Sequence, residues 1–207
     1  MGAPALAIMT HSSPDDQVDG NAIDVALMTR AGSGDHAAFE ELIERHQHAV
    51  VGTVAKMLGN ASEAEDIAQQ VFIRLWKTAG RYQPTAKFTT FLFTITRNLV
   101  FNETRKRKRR KEHSLDEQED DWHQQIPAES HLQPDDQALQ SELRRAVDTA
   151  IAALPEKQRL AVVLRRYERM PYEDIAQVLE LSVSAVKSQL FRARTALRES
   201  LQAFLDD

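Results

Sequence analysis

The chain has 207 residues, enough for one large domain or two small ones, and its seven glycines and few β-branched runs point to helices. It has no cysteine, which excludes a disulfide framework, a thiolate metal site and a cysteine nucleophile and fits a reducing compartment. Its formal net charge of −5 looks wrong for a nucleic-acid binder until the charge is located: ten Asp and Glu and no Lys or Arg fall between Glu112 and Glu142, so the rest of the chain is net +5.

In chain order, residues 1–20 open with MGAPALAIM, which lacks a basic leader and is too short an apolar run for a signal core or a membrane span. Leu6 stands where a myristoylation pattern wants a hydroxyl. Pro, Ser and Asp content marks this stretch as a disordered tail, and the chain is expected to be cytoplasmic without membrane insertion.

Residues 21–111 read as a helical bundle. A short helix is expected near Ile23 to Met28, and a longer one starts after Asp35, where Phe39, Leu42, Ile43, His46 and Val50 keep a helical period until Gly59-Asn60 stops it. Ser62 with Glu65 has the form of a capping box, opening a helix whose apolar face is Ile67, Ala68, Val71, Phe72 and Leu75. The Thr78 to Lys87 stretch, with Gly80 and Pro84, is a loop. Phe88, Phe91, Leu92, Ile95 and Leu99 then mark a long helix that runs into seven consecutive cations, Arg105 to Lys111. That run reads equally as a solvated helix end and as a phosphate-binding surface with strong salt dependence. His46 and His48, two residues apart, point to opposite sides of a helix, so no zinc site is expected, and no catalytic triad appears.

Residues 112–141 hold Pro127 and Pro134 among acids, Gln and Ser, and read as a flexible acidic linker. Residues 142–207 form a second helical block. Val147, Ala150, Ile151 and Leu154 share one face, Pro155 suits the first turn of the next helix, and Leu160, Val163, Leu164 and Tyr167 continue inward. From Tyr172 to Arg194 two amphipathic helices are joined by Glu180-Leu181-Ser182, with Ser182 placed to cap the second. This is the layout of a helix-turn-helix, and also of an ordinary helical hairpin with a solvated face. With Val186 inward, Ser184, Ser188, Arg192 and Thr195 turn outward and Lys187 lies on the flank. The expected class is all-α: an N-terminal bundle and a C-terminal four-helix domain joined by the linker.

Together these stretches resemble the bacterial RNA polymerase sigma factors, specifically the two-domain extracytoplasmic-function type, over nearly all of the chain outside tail and linker. Glu65 to Lys77 (EDIAQQVFIRLWK) resembles the helix that docks on the polymerase clamp, which implies Asp66, Gln69, Gln70, Arg74 and Trp76 as polymerase-binding residues. Phe88 to Arg110 is similar to the segment that melts and holds promoter DNA, which implies Lys87, Arg97, Asn98 and Arg105 as DNA contacts. Phe88, Phe91, Phe93 and Phe101 interleave with those cations, as base stacking beside a tracked backbone requires, although most of them must also fill the core. The loop before them is the better cradle for a flipped base. Leu154 to Arg198 resembles the upstream-element reader, which implies Ser182, Ser184, Lys187, Ser188, Gln189, Arg192 and Arg194 at or near DNA.

The chain departs from the family pattern at several positions. Phe91 stands where Trp is usual, Asn102 where an acid is common, Met170-Pro171 in place of a Gly-Leu-Ser entry, Glu180 where Gly is usual in the turn, and Gln189 where Arg is frequent. The resemblance implies core RNA polymerase, promoter DNA and an anti-sigma factor or other regulator as partners, with no cofactor, metal or catalytic group. Two other classes fit parts of the chain. A stand-alone repressor or activator would explain the helix-turn-helix but leaves no dimerisation helix, and a nuclease would use Glu63, Glu65 and Asp66 as metal ligands although acids favour a first helical turn anyway.

Overall fold

The computed structural model describes residues 14–113 and 134–204, all helices and turns with no strand among them. Helices α1 (Pro14–Gly32), α2 (His36–Leu58), α3 (Ala61–Thr78) and α4 (Phe88–His113) make the first block, and α5 (Pro134–Ala153), α6 (Glu156–Arg166), α7 (Tyr172–Leu179) and α8 (Val183–Ser200) the second. Helix α1 begins inside the stretch whose composition reads as a tail, at a proline whose missing amide costs nothing in a first turn. The end of the expected linker is likewise helical from Pro134, while residues 1–13 and 114–133 lie outside the described residues.

Each helix of the first block starts or stops where local chemistry dictates. Asp35 caps α2: its Oδ1 accepts the Ala38 amide at 3.0 Å and its Oδ2 pairs with Arg30 at 2.7 Å, which together hold its carboxyl below the usual carboxylate range. Gly59 ends α2 in the left-handed conformation, φ 71°, returning its amide to the Ala55 carbonyl. At the start of α3 Asn60 and Glu63 bond reciprocally, each at 3.4 Å, two residues before the Ser62–Glu65 pattern, whose Ser62 side chain lies outside the described residues. Asn60 directly follows the glycine stop, so its side chain is the first one able to reach the unpaired amides. Met28, Leu42, Val50, Val54, Met57, Val71, Leu75, Phe88 and Leu92 are buried between these four helices.

The second block closes on Ile151 and Leu154 of α5, Leu160 and Leu164 of α6, Ile175 and Val178 of α7, and Val186 and Leu190 of α8. It does not stand apart from the first. Helices α5 and α6 lie on α2, α7 lies on α4, and the buried apolar residues of both blocks form one continuous cluster. Arg159 of α6 donates from Nη1 to the Met57 carbonyl at 2.7 Å and from Nη2 to the Leu154 carbonyl at 3.1 Å, and burial lowers its pKa. Lys56 sits 3.6 Å from Asp148 and 4.3 Å from the ring centre of Tyr167. Thr53 Oγ1 donates to Glu168 Oε1 at 3.3 Å.

Burial raises the Glu168 carboxyl above its ordinary value, against the smaller lowering effects of the Thr53 bond and the nearby His46. The folded chain therefore holds this proton more tightly than the unfolded chain. The favourable contribution is complete below the ordinary carboxylate range and is lost as pH rises through the raised value. Glu168→Gln keeps the acceptor for Thr53 and removes the charge. It is expected to raise the thermal midpoint at pH 7.5 by about 2–4 °C, the shift that roughly 1 kcal/mol produces at this size, with the gain closing near pH 4 in parallel melts.

Candidate nucleic-acid interface

The helix-turn-helix is built as its sequence pattern requires. Ile175, Val178 and Leu179 of α7 and Val186, Leu190 and Ala193 of α8 bury the facing sides. The turn between them is made by a residue without glycine's freedom. Glu180 adopts φ 54°, ψ 48°, its amide reaches the Gln177 carbonyl at 3.2 Å, and the Leu181 amide reaches the Ala176 carbonyl at 2.9 Å. Those two bonds close the end of α7, and the left-handed residue is what lets the chain turn sharply enough to make them. Ser182 then caps α8, its Oγ accepting the Ala185 amide at 3.1 Å. Its hydroxyl is thus committed to the helix start.

The outward face of α8 carries Ser184, Lys187, Ser188, Arg192, Arg194 and Thr195, all exposed, with Gln189 half-buried on the flank. Ser188 and Thr195 return their protons to the Ser184 and Phe191 carbonyls at 3.1 and 3.2 Å, so towards a ligand they present acceptor oxygens. Phe191 lies among them with 71% of its surface exposed, the most exposed large apolar side chain described. With Tyr172 and Leu190, the side chains of Ser184, Lys187, Ser188, Phe191, Arg192 and Arg194 line an open hollow of about 650 Å³. Phe191 went unread in the sequence although its spacing of three from Ser188 and seven from Ser184 puts it on their face. Cations beside small acceptors and one apolar ring suit phosphates, base amino groups and a thymine methyl in a major groove.

The cations implied in the first block are not open in the same way. Arg97 is buried: its Nη2 donates to Glu180 Oε1 of the turn at 2.7 Å and to Asn98 Oδ1 at 2.6 Å. The guanidinium holds the Glu180 carboxyl below its ordinary range. Lys87 Nζ pairs with Asp174 of α7 at 3.0 Å. Arg105 is exposed, bonded to the Phe101 carbonyl and Asn102 Oδ1 at 3.2 Å each. Within the basic run Arg107 turns inward, to the Leu58 carbonyl at 3.0 Å and to Glu63, while Lys106, Arg109 and Arg110 remain exposed. The interleaved phenylalanines do not form a stacking face: Phe88 and Phe93 are buried and Phe91 and Phe101 half-buried against the core. Tyr82 in the preceding loop packs on Phe91 at 5.2 Å, and burial, with Asp24 nearby, raises its pKa.

On α3, Asp66, Gln69, Gln70 and Arg74 are exposed in one stripe. Trp76 does not belong to it. The indole is half-buried, stacked on His36 at 4.8 Å and against Phe39 at 4.9 Å, because its position turns it towards the start of α2. The apolar member of the stripe is instead Ile73, 47% exposed, four and three residues after Gln69 and Gln70 and next to Arg74. Among the described residues no group of His, Asp and Glu is arranged to hold a metal ion, and no helix is long and apolar enough to cross a membrane.

Residues 42–110 match the model of Sigma-70 region 2, and residues 144–197 match that of Sigma-70, region 4. The RNA polymerase sigma-H factor of Pseudomonas aeruginosa is 34% identical over 184 residues, covering 88% of this chain and 95% of the relative. The chain belongs to the extracytoplasmic-function RNA polymerase sigma factors. The SigW factor of Bacillus subtilis is 32% identical over 174 residues, 82% of this chain and 91% of that one. Among solved structures, CnrH in complex with the cytosolic domain of CnrY is 25% identical with a TM-score of 0.65, covering 87% of this chain and 98% of CnrH. The sigma factor RpoE of Bartonella quintana, solved with the anti-sigma factor NepR, shares the fold at 23% identity and a TM-score of 0.66, over 79% of this chain and 96% of that one. This sigma factor directs transcription initiation.

Because Ser182 supplies the cap that starts α8, Ser182→Ala is expected to cost about 1 kcal/mol of stability and to lower the thermal midpoint measurably. Circular dichroism melts check it.

Proposed function

We propose that the three exposed features divide the work of initiation. The α3 stripe around Ile73 docks on core RNA polymerase, as an apolar anchor rimmed by Asp66, Gln69, Gln70 and Arg74. The outward face of α8 reads the upstream promoter element in the major groove, with Lys187, Arg192 and Arg194 on phosphates or base edges, Ser184 and Ser188 as acceptors and Phe191 against a methyl. Lys87, Arg97, Asn98 and Arg105 follow the downstream element as it opens, beside the 78–87 loop. Ser182 shapes the reader without touching a base.

The observation that carries this reading is the match to both regions in the order the family uses, with α8 presenting exposed cations that form no ion pair among the described residues. The chain works where RNA polymerase is, in the cytoplasm. A regulator that covers the α3 stripe or the α8 face would silence it, and an anti-sigma protein is the partner class that fits, as NepR is for its Bartonella relative.

Transcription from a cognate promoter with purified core polymerase tests the whole. Absence of promoter-specific initiation across a promoter library would defeat it. Arg192→Ala and Phe191→Ala are each expected to weaken upstream-element binding by about 1–3 kcal/mol, with core binding intact. Ile73→Asp should do the reverse, weakening core binding at least about tenfold, or 1.4 kcal/mol, while leaving upstream-element binding and folding unchanged.

A further inference from the structure

The loop at residues 78–87 is gripped by α1 at both of its ends. At the entry, Gly32 lies against the backbone of Ala79 and Gly80, so close that a Cβ on it would stand 2.6 Å from the Ala79 carbonyl oxygen. Glycine serves there by its lack of a side chain. At the exit, Asn21 Oδ1 accepts the Phe88 amide at 2.9 Å. That amide is one of the donors left over at the start of α4, and Lys87, the residue before it, has no acceptor on its side chain to offer. The acceptor is supplied instead from 67 residues away.

Between these two points Asp24 holds α1 itself in place. Its carboxyl is buried, with Oδ1 accepting Arg45 Nε at 2.7 Å and Oδ2 lying 3.0 Å from His46 Nε2, both on α2. The His46 ring packs on Phe88 at 5.1 Å, and Tyr82 in the loop packs on Phe88 and Phe91 at 6.4 and 5.2 Å. Asn21 and Gly32 stand eleven residues apart, about 16 Å along a helix. The nine steps of chain from Ala79 to Phe88 can span about 30 Å when extended. A rigid helix that touches both ends removes that slack.

We propose that α1 is a positioning strut for promoter opening, in which Gly32 and Asn21 fix the two ends of the 78–87 loop and the start of α4, so that the loop meets the opening strand already in shape. The inference rests on the assignment of this loop to the downstream element made above. Helix α1 ends at Gly32, ahead of the residues 42–110 that match Sigma-70 region 2, so the strut comes from outside that match. A loop that is already ordered gives up less freedom when it captures a strand. Asn21 and Gly32 act through Phe88 and Ala79 and touch no DNA themselves.

The test uses holoenzyme assembled from core polymerase and the full chain, on a cognate promoter with a fluorescent base analogue in the downstream element that brightens as the strands part. Asn21→Ala and Gly32→Ala are each expected to slow opening about tenfold, with core binding and duplex upstream-element binding level. Asn21→Asp keeps the acceptor for the Phe88 amide and should restore the parent rate. Val54→Ala opens a cavity in the buried core away from both contacts, and at a temperature below its lowered thermal midpoint it should open DNA at the parent rate. Parent rates in both α1 variants overturn the strut. So does a slowing that Val54→Ala shares or that Asn21→Asp fails to restore, because lost stability then explains it. Gln83→Gly, Pro84→Gly and Thr85→Gly together loosen the exposed loop tip and check the assignment beneath. Unchanged opening in that variant removes the loop from the downstream element and the strut with it, whereas slowed opening there beside parent rates in the α1 variants removes the strut alone.

Discussion

Helix α2 has to be apolar on more than one side, because α1, α3 and α4 pack on it from the first block and α5 and α6 from the second. Its C-terminal half meets that demand with a nearly unbroken buried run, Thr53, Val54, Ala55, Met57 and Leu58. A surface helix needs only one apolar stripe; one that is buried all round serves two neighbours at once. Neither block is large, and a small helical unit buries too little surface to be secure alone. Sharing α2 gives both blocks a common core. The cost is polar: Arg159, Glu168 and Thr53 are drawn into the same seam, where Arg159 Nη1 reaches the Met57 carbonyl and Thr53 reaches Glu168, while Arg159 Nε is buried without a hydrogen-bond partner.

The seam also determines which functional groups face solvent. α7 lies along α4, so the end of α7 and the turn after it come to rest on Lys87 and Arg97, while α8, one helix further out, keeps its polar face free. The same turn that aims α8 outward aims Glu180 inward. The outward face of α8 and the Glu180–Arg97 pair are thus two ends of one backbone feature.

Much of this was legible in the sequence because it is local. Helix periods, the Gly59 stop, the Ser182 cap and the inward Val186 face depend on neighbours a few residues away. What was not legible depends on packing across the chain. Trp76 reads as a surface aromatic until His36 and Phe39 are seen beneath it, and Arg97 reads as an open cation until α7 covers it. The Asn60–Glu63 pair at the start of α3 was passed over because a second pattern, Ser62 with Glu65, overlaps it in the sequence. Two signals were present and unused: the all-round apolar stretch after Val50, which announces a second partner for α2, and the helical spacing of Phe191 with Ser184 and Ser188.

Glu180 joins these two levels. Read against the family pattern, glutamate in place of glycine is a local misfit, and a misfit in a turn ordinarily exacts strain and returns nothing. In the folded chain the same carboxylate is the group that reaches Arg97, across 83 residues of sequence. A backbone conformation unfavourable to the residue persists where something outside the turn offsets it. Here the offset is the ion pair with Arg97, made across the contact between the two blocks. A glycine at this position would remove both the strain and the pair, leaving the blocks joined by the Lys87–Asp174 pair and by the packing of α7 on α4 and of α5 and α6 on α2.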